Sequence, residues 1–370
     1  MTATARLVAV EIRDYRNLAA VALTLPAAGL VLVGDNGQGK TNFLEAVYYF
    51  QLLRSARGTR DVDAVRFGAE GFSLRGSIGG ADPGEFSIGF ERITKQKRVR
   101  IDGVVVPRLS DALGRLPAVM LSPADTVLAG GEPSARRRYL DVLLALTSRR
   151  YLAALQAYRA ALQNRNAAIR ELGRGRGNED AVAAWEPALA THGGALVVER
   201  RQWVSEIAER YGQLCAAIGE TSEASIAYHG SAVDSGDPAV TLQTLLESRR
   251  ASDIRRGGTH TGPHRDTLAL TLGGHELRAV GSAGQQRTAA VALRVAEAET
   301  YERRLGTAPV FLMDDPFAEL DVKRGEAIVS VLRDAAIGQI FLAVPRTSDI
   351  PDGFARLPRA IVERGEITPT

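Results

Sequence analysis

Three short stretches of the chain hold residue types that could do phosphate chemistry. In the first, Gly34, Asp35, Asn36, Gly37, Gln38 and Gly39 lead into Lys40, Thr41 and Asn42. The glycines let backbone N–H groups close round a polyphosphate, a lysine at this spacing bridges the β- and γ-phosphates, and the Thr41 hydroxyl takes a position on Mg²⁺. In the second, "VFLMDDPFAELD", four apolar residues end on two adjacent acids. Asp314 is expected to hold Mg²⁺ through water, and Asp315 to polarise the water that attacks the γ-phosphate. Two neighbouring carboxylates at the end of a buried strand repel each other unless a cation sits there. In the third, "VGSAGQQRT", Ser282, Gly284 and the start of a helix at Gln285 form an anion site. Serine is also a routine helix cap, so that stretch has a plain structural reading as well. The cofactors this chemistry asks for are ATP and Mg²⁺.

The phosphate loop needs a strand before it and a helix after it, and both are legible. "GLVLVG" reads as a buried strand running into the loop. "TNFLEAVYYFQLLR" reads as a helix with Phe43, Leu44, Val47 and Tyr48 on one side. "RLVAVEIRDYRNL" is a strand entering a loop, and between Phe72 and Val106 short strands alternate with Gly and Pro-Gly turns. From Pro133 to about Ile218 the pattern turns helical, with a polar break at "GRGRGNED". That predicts two long helices of some 20 residues per arm, about 30 Å each, with further helix behind them. Pro187 should kink the second helix or mark its start. Strand character returns in "TLALTLGGHELRAV", followed by a helix from Gln285 to about Leu305, the strand "PVFLMDD", a helix near Lys323 to Ala336 and the strand "QIFLAV". No heptad pattern persists long enough for an extended coiled coil. The expected organisation is an ATPase lobe whose halves, residues 1–115 and 255–370, flank a mainly helical insertion, 116–254.

The order of the motifs is that of an ABC-type ATPase: phosphate loop, long insertion, Ser-x-Gly-Gln loop opening a helix, acidic strand, "AELD". In that arrangement Ser282 and Gly284 lie too far from their own chain's nucleotide and face the γ-phosphate held by a second copy. The expectation is a homodimer when ATP is bound. The fold class expected is α/β, an ABC-type P-loop ATPase with a mainly helical inserted domain.

Bulk properties set limits. The chain of 370 residues carries a formal charge of only +3, so nucleic acid would have to be held by local patches rather than by the whole surface. Candidate patches are Arg92, Lys95, Lys97, Arg98 and Arg100; Arg54, Arg57 and Arg60; and Arg136 to Arg138. The predominance of arginine over lysine follows more readily from GC-rich coding than from phosphate contacts. A single cysteine, Cys215, excludes an intramolecular disulfide and fits a reducing compartment. Zinc is not expected, since Gly262-Pro263 keeps His260 and His264 off a common helix face. The apolar run from Leu18 to Val33 is broken by Pro26 and Gly29, short of the roughly 20 residues a bilayer span needs, so two strands and a cytoplasmic protein with no membrane contact are expected.

At this point the sequence resembles the RecF family of bacterial recombinational-repair ATPases, relatives of SMC head domains, over nearly its whole length. The resemblance rests on "NGQGKTNFLEAVYY", on "SPADTVLAGGEPSARRRYLD" (residues 122–141), on "GPHRD" (262–266), on "GSAGQQR" and on "DDPFAELD". It implies ATP-dependent dimerisation and a weak, DNA-stimulated ATPase. It also implies binding to duplex DNA at single-strand gaps, association with the nucleoid, and action with RecR and RecO in loading RecA. Three departures stand out. Thr267 follows "GPHRD" where the family has a second acid, the acidic pair after Ser-Pro is reduced to Ala124-Asp125, and Pro345-Arg346 follows "QIFLAV" with no histidine of the kind that contacts the γ-phosphate in transporters. Hydrolysis is therefore expected to be slow. The competing reading is the ATPase subunit of a membrane transporter, which would need a surface for membrane helices and lacks the arginine-rich segment.

Overall fold

Gly29–Val33 is buried along its whole length, as a strand must be when both faces of a parallel sheet are covered. The computed structural model of the chain describes all residues except 1, 2, 81, 233–235, 318–320 and 336. In it this strand is third in a six-stranded sheet ordered Glu366–Pro369, Arg359–Glu363, Gly29–Val33, Ile340–Val344, Val310–Asp314, Ala118–Leu121. Only the pairing of the first two is antiparallel. Ala343 pairs with Leu32 on one side and Asp314 on the other. The phosphate-loop strand and the acidic strand therefore end level with each other, two strand spacings or about 10 Å apart. That is the carboxyl edge where open parallel sheets bind ligands.

The chain divides into two compact units, Met1–Asp125 with Ala217–Gly219 and Arg287–Thr370, and Thr126–Ala216 with Glu220–Gln286. The first also holds an antiparallel sheet of six strands, Leu18–Thr24, Arg6–Tyr15, Gly71–Gly79, Gly84–Glu91, Lys97–Ile101 and Val104–Val105. Its inward side chains, Leu7, Val10, Ile12, Leu74 and Ile88, join one apolar core with the helix Lys40–Leu52. Tyr15, Tyr49 and Phe72 meet edge to face there, with centroids 5.2 to 6.1 Å apart, the arrangement that aromatic quadrupoles favour.

The second unit contains the helices Pro133–Thr147, Arg149–Gly173, Glu186–Ala217 and Pro238–Arg256, with strands Ala224–His229, Thr267–Leu272 and His275–Glu276. The first expected arm is thus two helices. The chain turns at Ser148 (φ −144°), whose hydroxyl caps the next helix by accepting from Tyr151 N at 3.1 Å. The second arm is longer than expected, 32 residues or roughly 48 Å. Pro187 is its second residue, where a missing N–H costs nothing, so it marks the start and makes no kink. Deep in this unit Arg165 is fully buried and donates to Glu186 (3.0 Å), Asp253 (2.8 Å) and Thr259 (2.7 Å), while Arg250 covers the other oxygen of Glu186 at 2.6 Å. No helix among the described residues is long and apolar enough to cross a membrane.

Candidate nucleotide-binding site

Gly39 ends the phosphate loop at φ 122°, and no side chain caps the helix that starts at Lys40. Its first amides are therefore free for an anionic ligand, with the positive end of the helix dipole behind them. A Cβ at Gly39 would meet Asn17 and Leu18 at 3.0 to 3.2 Å, and one at Gly34 would lie 2.2 Å from the Val362 carbonyl, so glycine is required at both. The Lys40 ammonium lies across the loop, donating to the Gly34 carbonyl and to that of Asp35 at 2.9 Å. Burial pushes its pKa down, against the pull of Asp314, Asp315 and Asp35. Asp35, Asn36 and Gly37 are exposed on the outer side of the loop.

Thr41 Oγ1 donates to Asp314 Oδ1 at 2.9 Å, joining the first turn of the helix to the end of the acidic strand. A hydroxyl and a carboxylate at that spacing are the hard oxygen donors that Mg²⁺ takes beside phosphates. Among the described residues no three or more His, Cys, Asp or Glu side chains gather as a metal cage, so phosphate oxygens and water would complete the shell. Burial raises the pKa of both Asp314 and Asp315, and Lys40 counters it at both. Asp315 stands at φ 45°, left-handed backbone that few residues other than glycine adopt. Its N–H donates to Ala343 O at 3.0 Å.

Residues outside the motif complete this side of the site. Gln38 uses its side-chain oxygen to accept from Arg364 N at 2.6 Å, so its side chain fastens the loop to the last hairpin. Asn42 donates to Asn17 Oδ1 (2.7 Å) and accepts from Arg57 (2.9 Å). Arg57 also pairs with the buried Glu45 at 3.5 Å, and its charge is felt at Asp314. The basic run that holds Arg57 was legible, but its turn back onto Asn42 was not. Gln51, the glutamine at the end of the same helix, is a core residue bonded to Tyr301 and to the Ala118 amide.

Ser282 and Gln285 form a reciprocal capping box. Ser282 N donates to Gln285 Oε1 at 2.9 Å, and Gln285 N donates to Ser282 Oγ at 3.3 Å. The structural reading of this serine is thus realised, and Ser282 is at the same time exposed at the start of the 23-residue helix Ala283–Leu305. Of "AELD", Ala318, Glu319 and Leu320 lie outside the described residues, as does Ala336. Asp321 caps the next helix, Val322–Asp334, accepting from Arg324 N at 2.9 Å.

Two of the other distinctive segments are structural. Arg136 is buried and donates to the carbonyls of Leu268 (2.6 Å), Leu128 and Gly131, and Arg137 donates to Asp266 O at 2.9 Å. The expectation that Arg136 to Arg138 form a basic patch for nucleic acid is corrected on that ground, since the first two are turned to carbonyl oxygens of the protein itself. In "GPHRD", Pro263 O accepts from Arg200 at 2.7 Å, and Asp266 accepts from Tyr228. His264 Nε2 must donate to the Thr259 carbonyl (3.0 Å), so Nδ1 accepts from the Tyr158 hydroxyl at 2.6 Å and the imidazole is neutral. Burial pushes His264 down to about 4. Its folded pKa lies below the ordinary 6.5, so this stabilisation is complete above about pH 6.5 and is lost as pH falls towards 4. The amount is at most about 3 kcal/mol. Thermal melts should show the melting temperature falling across that window, and His264→Gln should flatten the fall.

This geometry has counterparts in known proteins. Residues 6–349 match the profile of the RecF/RecN/SMC N terminal domain. The DNA replication and repair protein RecF of Geobacter sulfurreducens is 35% identical over 368 residues, covering 98% of this chain and 99% of its own. That of Anaeromyxobacter sp. (strain K) is 37% identical over 352 residues, 91% of each. A solved structure of the recombination mediator protein RecF with ATP superposes with a TM-score of 0.91 at 26% identity, over 100% of this chain and 99% of the other. The Smc head domain of Pyrococcus furiosus, at TM-score 0.57 and 14% identity over 99% of this chain and 96% of its own, shares the fold.

Proposed function

We propose a function from one premise: this chain belongs to the RecF/RecN/SMC N terminal domain family, with the α/β fold of an ABC- and SMC-like ATPase head. It is an ATP-driven DNA-repair protein that closes into a dimer on ATP. The observation that carries this is the Thr41–Asp314 hydrogen bond beside the lysine-bearing loop. Gly34 to Asn42 hold the phosphates of ATP, and the amides at the start of Lys40–Leu52 meet the negative charge. Mg²⁺, held by Thr41 and Asp314, would neutralise charge on the β- and γ-phosphates. Asp315 accepts the proton of a water whose oxygen bonds to the γ-phosphorus while the bond to the bridging oxygen breaks, leaving ADP. Ser282, Gly284 and Gln285 meet the γ-phosphate of a second copy. The unit of Met1–Asp125, Ala217–Gly219 and Arg287–Thr370 is the ATPase lobe, so the inserted unit begins at Thr126 and runs on to Gln286, past the expected bounds of 116 and 254.

The test is light scattering of the purified protein with ATP, with ADP and with no nucleotide. The mass should double with ATP alone. Ser282→Arg should bind ATP within a few-fold of wild type and stay monomeric, because the added bulk lies at the proposed interface. A Ser282→Arg protein that still doubles its mass with ATP would refute the sandwich.

The names of its relatives support a role in DNA replication and repair. The RecFOR pathway, in which the ATP-bound RecF structure is placed, supports RecO and RecR as partners, and we propose that the protein acts with them on duplex DNA near gaps, with RecA loaded downstream. The same relatives, matched over more than 90% of the chain, disfavour the transporter reading. We propose a cytoplasmic protein, nucleoid-associated through DNA. The DNA surface we favour is the outer face of the antiparallel sheet. There Arg13, Ser73, Gly89 and Arg98 form one row across the strands, and Glu11, Arg75, Ser87 and Arg100 the next. A hollow of about 450 Å³ there is lined by Arg13, Arg98 and Arg100 together with the acids Asp14, Glu70 and Glu91. Lys97 leaves that set, since it turns inward to Asp61 at 2.7 Å and over the Tyr49 ring. Duplex affinity should fall steeply with salt. Arg98→Glu with Arg100→Glu should make the dependence of log K on log salt shallower, by about 0.9 for each phosphate no longer neutralised. A filter-binding series from low to physiological salt measures it.

A further inference from the structure

We propose that Arg287 is a positioning residue of the hydrolytic site, a tie that sets the backbone of Asp315 from the helix opening on the Ser282 loop. Its guanidinium is buried. Nη1 donates to Ser122 O at 2.9 Å, and Nη2 to Pro316 O at 2.9 Å and Asp315 O at 3.4 Å. Ser122 and Asp315 are the residues immediately after two paired strands, Ala118–Leu121 and Val310–Asp314. One planar fork thus spans both strand ends, which a guanidinium can do and a single ammonium cannot.

The peptide of Asp315 is held from both sides. Its N–H goes to Ala343 O and its carbonyl to Arg287, while φ at 45° has to be maintained. Backbone in that region persists only where its surroundings over-determine it. The next residue on the helix, Thr288, accepts from Arg324 at 3.5 Å, just beyond the Asp321 cap. One helical turn therefore touches both ends of the segment from Asp315 to Arg324. Arg287 is also the fifth residue of its helix, little more than a turn beyond Ser282 in the chain.

This inference rests on the proposed role of Asp315 as the base. The experiment is a mutant cycle with Arg287→Lys, Arg287→Gln, Asp315→Asn and the double variant Arg287→Lys/Asp315→Asn, reading kcat, KM and the ATP dissociation constant. Misplacing a catalytic group by about 1 Å can cost about a hundredfold in rate. The Arg287 variants should therefore lose between roughly ten- and a hundredfold in kcat, with ATP affinity within about threefold of wild type. Arg287→Lys should retain more activity than Arg287→Gln. On the Asp315→Asn background, Arg287→Lys should cost nothing further, because a residue acting through Asp315 is non-additive with it. Wild-type kcat in both Arg287 variants, with Asp315→Asn inactive, would overturn the inference and leave the site reading standing. Additive losses, or kcat and ATP affinity falling together, would also overturn it, by making Arg287 merely structural. Full activity in Asp315→Asn would sink the site reading itself.

Discussion

Lys40→Ala is expected to lose ATP binding by between about a hundredfold and ten-thousandfold, and dimerisation with it. The ammonium is held over the loop by the carbonyls of Gly34 and Asp35, already aimed at the space that phosphates would fill. Two charge-assisted hydrogen bonds to phosphate contribute about 1.5–3 kcal/mol each, which sets that range. Removal also strips the cation that stabilises Asp314 and Asp315 in their charged forms. Titration with a fluorescent ATP analogue measures the first effect and light scattering the second. A variant that binds ATP like wild type would mean that this loop is not the nucleotide site.

The second large effect is on turnover. Asp315→Asn should bind ATP and dimerise, yet hydrolyse some hundred- to ten-thousandfold more slowly, the span usual for a lost general base. Asn keeps the shape and tolerates the left-handed φ that the position demands, so the loss reports chemistry and not folding. The dimers should then persist, and their lifetime on a sizing column after ATP is removed is the natural readout. Asp314→Asn should fail differently. It keeps an acceptor for Thr41 but removes a charge that Mg²⁺ needs, so its defect should ease as Mg²⁺ is raised. A Mg²⁺ titration separates the two.

The nucleotide loop, its strand and helix, and the acidic strand could be read from the sequence because each is written locally. A buried run, a glycine loop and a helix start within about ten residues need no distant partner to be recognised. What could not be read depends on distant partners. Ala118–Leu121 is four apolar residues with no alternation, and only its pairing with Val310–Asp314 makes it a strand. Pro238–Arg256 carried its signals, an Asp237 cap, a proline at the first position and Gly257 after the end, but it buries few side chains and the apolar pattern is faint. Arg287 looked like any other arginine, and Arg57 was legible only as part of a basic run, since what each does is set by an atom 15 to 165 residues away. Arg136 misled for the opposite reason. A run of three arginines reads as surface, whereas here the first is enclosed by carbonyl oxygens.

The sheet order also bears on how the chain is made. Gly29–Val33 has Ile340–Val344 as one neighbour and Arg359–Glu363 as the other. Both emerge from the ribosome about 300 residues after it, a delay of roughly 15 to 60 seconds at ordinary rates of synthesis. For that interval the strand bearing the phosphate loop has two bare edges, the condition under which nascent strands mispair. The antiparallel sheet, whose strands follow one another between Arg6 and Val105, can close long before. Half of the ATPase lobe is thus assembled during translation and the nucleotide pocket only afterwards, so an arrested nascent chain that stops short of Ile340 should be unable to retain ATP.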